Sequence, residues 1–366
     1  MRLLPATLSI YLGKQFIKNV LIIFGVLMTI IFLADFVEAL RRGGDREDMT
    51  IGILIQMVVL RLPTLSMKLL PFIALFGAML TFFRLAKTSE LAVIRATGVS
   101  IWQFLFPALA IAFAFGLLVL TVINPIAAAM QAQNDRMEAK YFERHSNLLT
   151  LSTNDLWLRQ IDDDGLSVIH ARGVVNQGID LADVIIFQYE GDSEIFTRRI
   201  DADRARLRPG YWELHNVVVT GPNRPAERHA RLELPTSLTV LQIQESFASP
   251  ATLSFWDLPD FIATLEHAGF SGDRHRLYFY SLIAGPILLL AMVLVAATFS
   301  LRSLRQGRTV LMVLGGIITG FVFYFMTDII YALGLAGNLP VLLAAFIPAA
   351  AITLFGLAMM FHLEDG

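Results

Sequence analysis

Long apolar stretches separated by short polar segments dominate both ends of the chain. A helix needs about 20 apolar residues to cross the core of a bilayer, and six stretches approach or reach that length. They are residues 16–37, 69–83, 101–123, 277–301, 309–327 and 339–361. The second is expected to begin as a longer helix near Ile51 that Pro63 and Pro71 bend. The pattern therefore predicts six transmembrane helices.

The middle of the chain alternates apolar and polar residues with a period of two, which is typical of β-strands. The predicted strands are residues 156–161, 166–171, 184–189, 195–200, 211–220, 231–234 and 238–243. An all-β sandwich or roll fits this pattern best. The predicted domains are residues 1–123 (three spans, with a short helix near 88–98), 124–147 (a connecting helix), 148–246 (the β domain), 247–276 (a second connecting helix) and 277–366 (three spans).

Composition agrees with a membrane protein, since 55% of the 366 residues are apolar and only 16% are charged. The net charge of −2 gives no basic footprint for nucleic acid. The chain has no cysteine, which excludes disulfides and thiolate sites. The sequence also contains no phosphate-binding loop, zinc-protease motif or nucleophile elbow. We therefore expect no catalytic residue, no metal site and no cofactor bound by this chain.

Orientation follows from lysine and arginine in the short loops, which favour the cytoplasmic side. The amino terminus and the loops at 84–95 and 302–308 are rich in these residues, so we expect both termini in the cytoplasm and the β domain outside. Arg41, Arg42 and Arg46, which follow the first span, oppose this bias on the outer side.

Residues 88–98 have the layout of a short helix, with Thr88 or Ser89 as its cap and Gly98 as its end. A helix this short is unstable alone and must dock on something. In transporters that lack a nucleotide site, such a coupling helix sits in a groove of a separate ATPase. The candidate contacts are Glu90, Leu91, Ile94 and Arg95. The alternative is a linker helix that lies on the membrane.

Basic residues form a second candidate site on the outer side. On a helix, Arg136, Lys140 and Arg144 make one like-charged stripe. Arg61 and Lys68 also share a helix face, and Arg41 and Arg42 end the first span. If these surfaces converge on a cavity, they would bind the phosphates of a lipid head group. The alternative is a solvated surface, because acidic residues are nearby.

Four short motifs carry a family resemblance: SELAVIRATGVS after the second span, LWLRQ in the first predicted strands, FSLRSLRQG between the fourth and fifth spans, and GFVFYFMTDI inside the fifth. In their order and spacing, the chain resembles the lipopolysaccharide-export permeases LptF and LptG. It is more similar to the G-type than to the F-type subunits, and the resemblance covers essentially the whole chain.

The resemblance implies a β-jellyroll-like periplasmic domain and a lipid-export function. Family members pair as an F-plus-G heterodimer on a dimer of B-type ATPase subunits, which use ATP, together with a C-type single-span subunit and a periplasmic bridge protein. They reside in the inner membrane of Gram-negative bacteria and extract lipopolysaccharide from its outer leaflet. Glu90 matches the acidic residue of the family's coupling helix. Asp35, Phe36, Phe325 and Asp328 match positions near the lateral gate.

Three other readings of the sequence stay open. The chain could be an F-type subunit, a permease for lipoproteins or peptides, or a membrane-anchored sensor that transports nothing. The coupling helix discriminates against a sensor, which has no use for a docked Glu90.

Overall fold

The computed structural model divides into two compact units. The membrane unit comprises Met1–Asn134, Ser254–Trp256 and Arg276–Gly366, and the β unit comprises Asp135–Leu253 and Asp257–His275. The structure describes residues 6–43, 49–141, 148–152, 155–162, 165–175, 180–190, 195–222, 224–236, 249–267, 271–306 and 309–365.

The described residues form nine α-helices. They are α1 (Ala6–Gly43), α2 (Ile51–Lys87), α3 (Glu90–Ala96), α4 (Ile101–Leu118), α5 (Asn124–Tyr141), α6 (Leu258–His267), α7 (Asp273–Gln306), α8 (Thr309–Leu335) and α9 (Val341–Asp365). A π-helical turn, Val119–Ile123, joins α4 to α5. Six helices are long and apolar enough to span a membrane: α1, α2, the continuous α4–α5 segment, α7, α8 and α9. The predicted six spans are confirmed.

Close packing of α1 on α2 organises the first half of the membrane unit. A Cβ atom on Gly77 would lie 2.6 Å from Cγ2 of Val20, so only glycine lets the two helices approach this closely. One turn later, the buried amide of Asn19 donates a 3.0 Å hydrogen bond to Oγ1 of Thr81. Because this bond is formed away from water, it fixes the register of the two helices.

A cluster of polar contacts lies at the π-helical turn, where the chain leaves the third span. Asn124 is buried, and its side-chain oxygen accepts a 2.7 Å hydrogen bond from the backbone N–H of Phe255. The indole of Trp256 donates to the carbonyl of Thr121, at 3.3 Å. A π turn leaves carbonyls out of the regular helical pattern, and Trp256 satisfies one of them. The two chain segments that lead to the β unit are therefore fastened together inside the membrane unit.

The described residues of the β unit form seven strands: β1 (Leu148–Ser152), β2 (Asp155–Asp162), β3 (Gly165–Val175), β4 (Asp180–Glu190), β5 (Ile195–Arg208), β6 (Tyr211–Gly221) and β7 (Arg224–Pro235). They make one antiparallel sheet in chain order, each strand paired with the next. Six of the predicted strands are confirmed. The edge strand β1 was not predicted, and the predicted strand 238–243 lies outside the described residues.

The sheet curls over its own apolar face. Oγ1 of Thr236, just after β7, donates a 2.8 Å hydrogen bond to Oε1 of Gln160 on β2, and both side chains are buried. Strands in a flat sheet are spaced about 4.8 Å apart, so β2 and β7, five strands apart, could not touch unless the sheet curled. Of the two predicted architectures, the described strands therefore match a roll of one sheet, with no second sheet among them.

The interior of the roll is filled by side chains from the inward positions of the strands. Trp212 and Leu214 are completely buried in β6, and Ile186 and Ile200 are completely buried on paired positions of β4 and β5. Helix α6 adds Leu265 to this core, since its apolar positions recur with the helical period. The alternating pattern of the sequence thus gives one buried face and one charged outer face.

Candidate functional site

The short helix α3 is fastened to the membrane unit by its apolar side. It begins at Glu90 and ends before Gly98, whose φ of +81° is the left-handed conformation expected of a glycine stop. Leu91 and Ile94 are only 2% and 8% exposed, within the main apolar cluster of the membrane unit. Val93, on the other side of the helix, is 65% exposed. The helix is therefore docked on one face and open on the other.

This geometry separates the four residues predicted to contact an ATPase. Leu91 and Ile94 point into the membrane unit, where they anchor the helix. Glu90 is only partly buried, and the side chain of Arg95 lies outside the described residues. Val93 was not among the residues predicted to contact the ATPase, yet it is the large apolar side chain that α3 presents outward. An outward contact would therefore involve Glu90 and Val93.

The carboxylate of Glu90 is held by two hydroxyl groups. The phenol of Tyr11 on α1 donates to Oε2, and Oγ1 of Thr88 donates to Oε1, both at 2.8 Å. Thr88 was predicted as a cap, whose side-chain oxygen would accept a hydrogen bond from a backbone N–H of the helix. Its hydroxyl instead donates to the side chain of Glu90, the first residue of the helix. Ser89, between α2 and α3, has φ of +60°. That conformation is strained for a residue with a side chain, so it marks a sharp turn between the helices.

The basic residues at the other end of α1 are paired within the helix. Arg41 contacts Glu38 through two hydrogen bonds, of 2.9 and 3.0 Å. Arg42 lies 3.7 Å from the same carboxylate. All three side chains are well exposed, and such pairs are weak and easily exchanged. Arg41 and Arg42 therefore stay accessible to an anion such as a lipid phosphate.

One predicted phosphate ligand and one predicted gate residue are in contact with each other. Nη1 of Arg61 on α2 lies 3.3 Å from Oδ1 of Asp35 on α1. The side chain of Asp35 is 14% exposed and that of Arg61 is 38% exposed. The other carboxylate oxygen of Asp35 is buried and has no hydrogen-bond partner among the described residues. Lys68, seven residues after Arg61, is exposed on α2.

Two of the three residues of the predicted basic stripe lie in the described part of the chain. Arg136 and Lys140 are exposed on α5, and the ammonium of Lys140 lies 5.1 Å from the centre of the Tyr141 ring. Arg144 lies outside the described residues. The convergence of these residues with Arg41, Arg61 and Lys68 on one cavity stays a prediction.

The predicted gate residues lie on the two least buried spans. The most apolar stretch of α1 has none of its residues buried and that of α8 has 11%, against 67% in α2. Phe36 stacks on Phe32, with ring centres 6.0 Å apart. Phe325 is exposed, with its edge against Tyr324, and Asp328 is exposed three residues later. Both helices thus present apolar surface that the described part of the chain does not cover.

Comparison with known proteins identifies the family. The model of the lipopolysaccharide export system permease LptF/LptG matches residues 10–362. The chain belongs to this family.

Two curated LptF/LptG relatives show how far the similarity extends. The chain is 25% identical to lipopolysaccharide export system permease protein LptG of Escherichia coli K12 over 358 residues, which is 96% of both proteins. It is also 25% identical to LptG of Haemophilus influenzae over 351 residues, covering 94% of this chain and 95% of the relative. The likeness therefore includes both sets of spans and the β unit.

For this LptF/LptG member, sequence reasoning missed Tyr11 as a partner of Glu90. Tyr11 precedes the first apolar stretch by a few residues, and nothing in its spacing distinguishes it from an ordinary interfacial tyrosine. The two partners are 79 positions apart in the chain, so no helical or strand period could have indicated the contact.

Proposed function

We propose that this chain is the G-type permease subunit of an ATP-driven exporter that takes lipopolysaccharide from the outer leaflet of the inner membrane. Membership of the LptF/LptG family supports the substrate class, and the names of both relatives are those of LptG proteins. Both termini and α3 would face the cytoplasm, and the β unit would face the periplasm. The partners would be an F-type permease subunit, a dimer of B-type ATPase subunits, a C-type single-span subunit and a periplasmic bridge protein.

The observation that carries the proposal is the docking of α3. The chain contains no nucleotide-binding motif, so the energy for export would come from ATP hydrolysed by a separate subunit. Helix α3 is anchored by Leu91 and Ile94 and directs Glu90 and Val93 outward. A conformational change of the ATPase could therefore be transmitted through α3 to the membrane unit. A carboxylate at such an interface would pair with a basic residue of the ATPase through a charge-assisted hydrogen bond.

The lipid itself requires an apolar route. Exposure of acyl chains to water costs about 0.8 kcal/mol per methylene, so a lipid with several chains cannot leave the bilayer bare. The uncovered faces of α1 and α8 supply apolar surface for the chains, and Arg41 and Arg42 offer cations for the phosphates. Closure of the ATPase would drive these helices together and push the lipid toward the β unit.

The experiment is reconstitution of the complete exporter in vesicles, with lipopolysaccharide release measured per ATP hydrolysed. Glu90→Ala should abolish coupled release while the complex still folds and inserts. Glu227→Ala is the matched control, because Glu227 is an exposed carboxylate on β7 of the β unit. Release by Glu90→Ala at the rate of the unaltered protein would refute the proposal.

A second arm tests the cation site. Arg136→Glu with Lys140→Glu should weaken the binding of phosphorylated lipid more at low salt than at high salt, because ions screen exposed charges. Equal binding under both conditions would remove this stripe from the lipid site.

A further inference from the structure

Two donors approach the Glu90 carboxylate from two different helices. Tyr11 belongs to α1 and Thr88 caps the carboxyl end of α2, and each donates to a different oxygen at 2.8 Å. The Thr88 hydroxyl has one proton, and Glu90 is its nearest acceptor, since the carbonyl of Arg84 lies 3.1 Å away. An ionised carboxylate has about four acceptor positions. The described residues therefore leave two of them for a cation, while the two hydrogen bonds fix the orientation of the group.

The Tyr11 contact also ties α3 to the first span. Leu12 and Phe16, which follow Tyr11 on α1, are buried in the same apolar cluster as Leu91 and Ile94. Within that shared packing, the bond from Tyr11 to Glu90 is a direct polar link between α1 and α3. Asp35 lies 24 residues further along the same helix, about 36 Å away at 1.5 Å per residue. A displacement of Glu90 thus reaches the helix that carries the predicted gate.

The helices α1 and α2, next to the contact between Tyr11 and Glu90, are held firmly against each other. The hydrogen bond from Asn19 to Thr81 and the close contact at Gly77 hold α1 and α2 in one register. The strained turn at Ser89 then joins α3 to this pair. The hydrogen bond from Tyr11 to Glu90 limits the directions in which α3 can tilt, because its Tyr11 end lies on a helix whose register with α2 is fixed.

We propose that Tyr11 is a positioning residue: with Thr88, it holds the Glu90 carboxylate in the orientation that the ATPase meets, and it transmits the motion of the coupling helix to α1. This inference rests on the proposed function and adds to it a residue and a route. Pre-orientation raises affinity because the ordering of the side chain has already taken place before binding.

The test compares Tyr11→Phe with the unaltered protein in the reconstituted exporter. The substitution keeps the ring and removes only the hydroxyl. We expect the apparent affinity for the ATPase to fall about 3- to 10-fold, which corresponds to the loss of one hydrogen bond, and lipid released per ATP to fall with it. Tyr189→Phe is the matched control, since Tyr189 lies on β4 with its ring against Phe196 and its hydroxyl makes no hydrogen bond among the described residues.

Thr88 supplies a second, independent pair of variants. Thr88→Val should reproduce the defect, and Thr88→Ser, which keeps the hydroxyl, should restore function. A purely steric role for the side chain would not distinguish these two variants in that order. The pair keeps the test decisive even if Tyr11→Phe lowers the yield of protein.

The decisive readout is a double-mutant cycle with Glu90→Gln. If Tyr11 acts through the carboxylate, Tyr11→Phe adds little in that background. Equal effects of Tyr11→Phe in both backgrounds would overturn the proposal, and so would a Tyr11→Phe protein that behaves as the unaltered one while Glu90→Ala is inactive. If Glu90→Ala is fully active as well, the proposed function fails first.

Discussion

The guanidinium of Arg61 lies 3.3 Å from a carboxylate oxygen of Asp35 and joins α2 to α1. The two residues carry opposite charges on helices that are otherwise apolar along most of their length. In such surroundings, removal of one partner of an ion pair destabilises the protein more than removal of both. The remaining residue then keeps a charge that nothing compensates. The sequence placed these residues in different sites, one for phosphate and one for the gate.

Arg61→Gln should therefore destabilise the membrane unit by about 1–3 kcal/mol, the range for a polar group left unsatisfied. The double variant Asp35→Asn with Arg61→Gln should recover most of that loss. Thermal unfolding of the purified chain in mild detergent measures both. A double variant no more stable than Arg61→Gln alone would show that the pair does not stabilise the protein.

Glu213 on the outer face of the β unit gives a prediction for pH dependence. A hydrogen bond from Arg208 is the largest influence on the pKa of Glu213 and lowers it. Desolvation opposes this effect, and the charges of Arg231, Arg208 and His215 lower the pKa further. A carboxylate with a lowered pKa in the folded state stabilises the fold above its unfolded pKa, about 4.3 for glutamate. That contribution disappears as the pH falls through the lower, folded value.

Glu213→Gln should accordingly lower the melting temperature at pH 7 and flatten its decline below about pH 4.3. The measurement is a series of thermal unfolding curves from neutral to acid pH. Glu227→Gln serves as the control, because its carboxylate is 65% exposed and lies 3.6 Å from His229. The explanation fails if the acid decline is equally steep in both variants.

The contact between Gln160 and Thr236 closes the roll over a packed interior. Val184, Ile186 and Val217 are buried in that interior. An acyl chain can enter only if these side chains separate, since protein interiors leave few voids of that size.

A short bifunctional reagent between Gln160→Cys and Thr236→Cys should therefore stop transfer of lipid from the membrane unit while ATP hydrolysis continues. The chain contains no native cysteine, so these two would be the only reactive thiols. Each single cysteine variant, treated with the same reagent, is the control. Undiminished transfer by the cross-linked protein would mean that the lipid travels outside the roll.

Local sequence patterns predicted the helices and strands of this protein, whereas the geometry of the candidate site depends on contacts between residues far apart in the chain. Twenty apolar residues suffice to indicate a span, and an alternation of two indicates a strand such as β4, whatever lies elsewhere in the chain. The partners of Glu90, Asp35 and Gln160 are 79, 26 and 76 residues away from them. A period shows which face of an element is apolar but not which element covers it. The sequence therefore pointed to Glu90 without Tyr11, and to Leu91 without its inward direction.

The two faces of α3 provide the most direct separation of packing from coupling. Leu91→Asp would place a carboxylate where the leucine is 2% exposed, and an uncompensated buried charge costs about 3–5 kcal/mol. We expect this variant to unfold at a lower temperature and to lose ATPase binding as a consequence.

Val93→Asp should leave the melting temperature unchanged, because the side chain is 65% exposed. It should still lower co-purification of the ATPase at least about 10-fold, which corresponds to about 1.4 kcal/mol of binding free energy. Val93→Thr, of similar shape and without charge, should bind nearly as the unaltered protein does. If Val93→Asp retains the ATPase fully, the outward face of α3 is not the docking surface, whatever Leu91→Asp does.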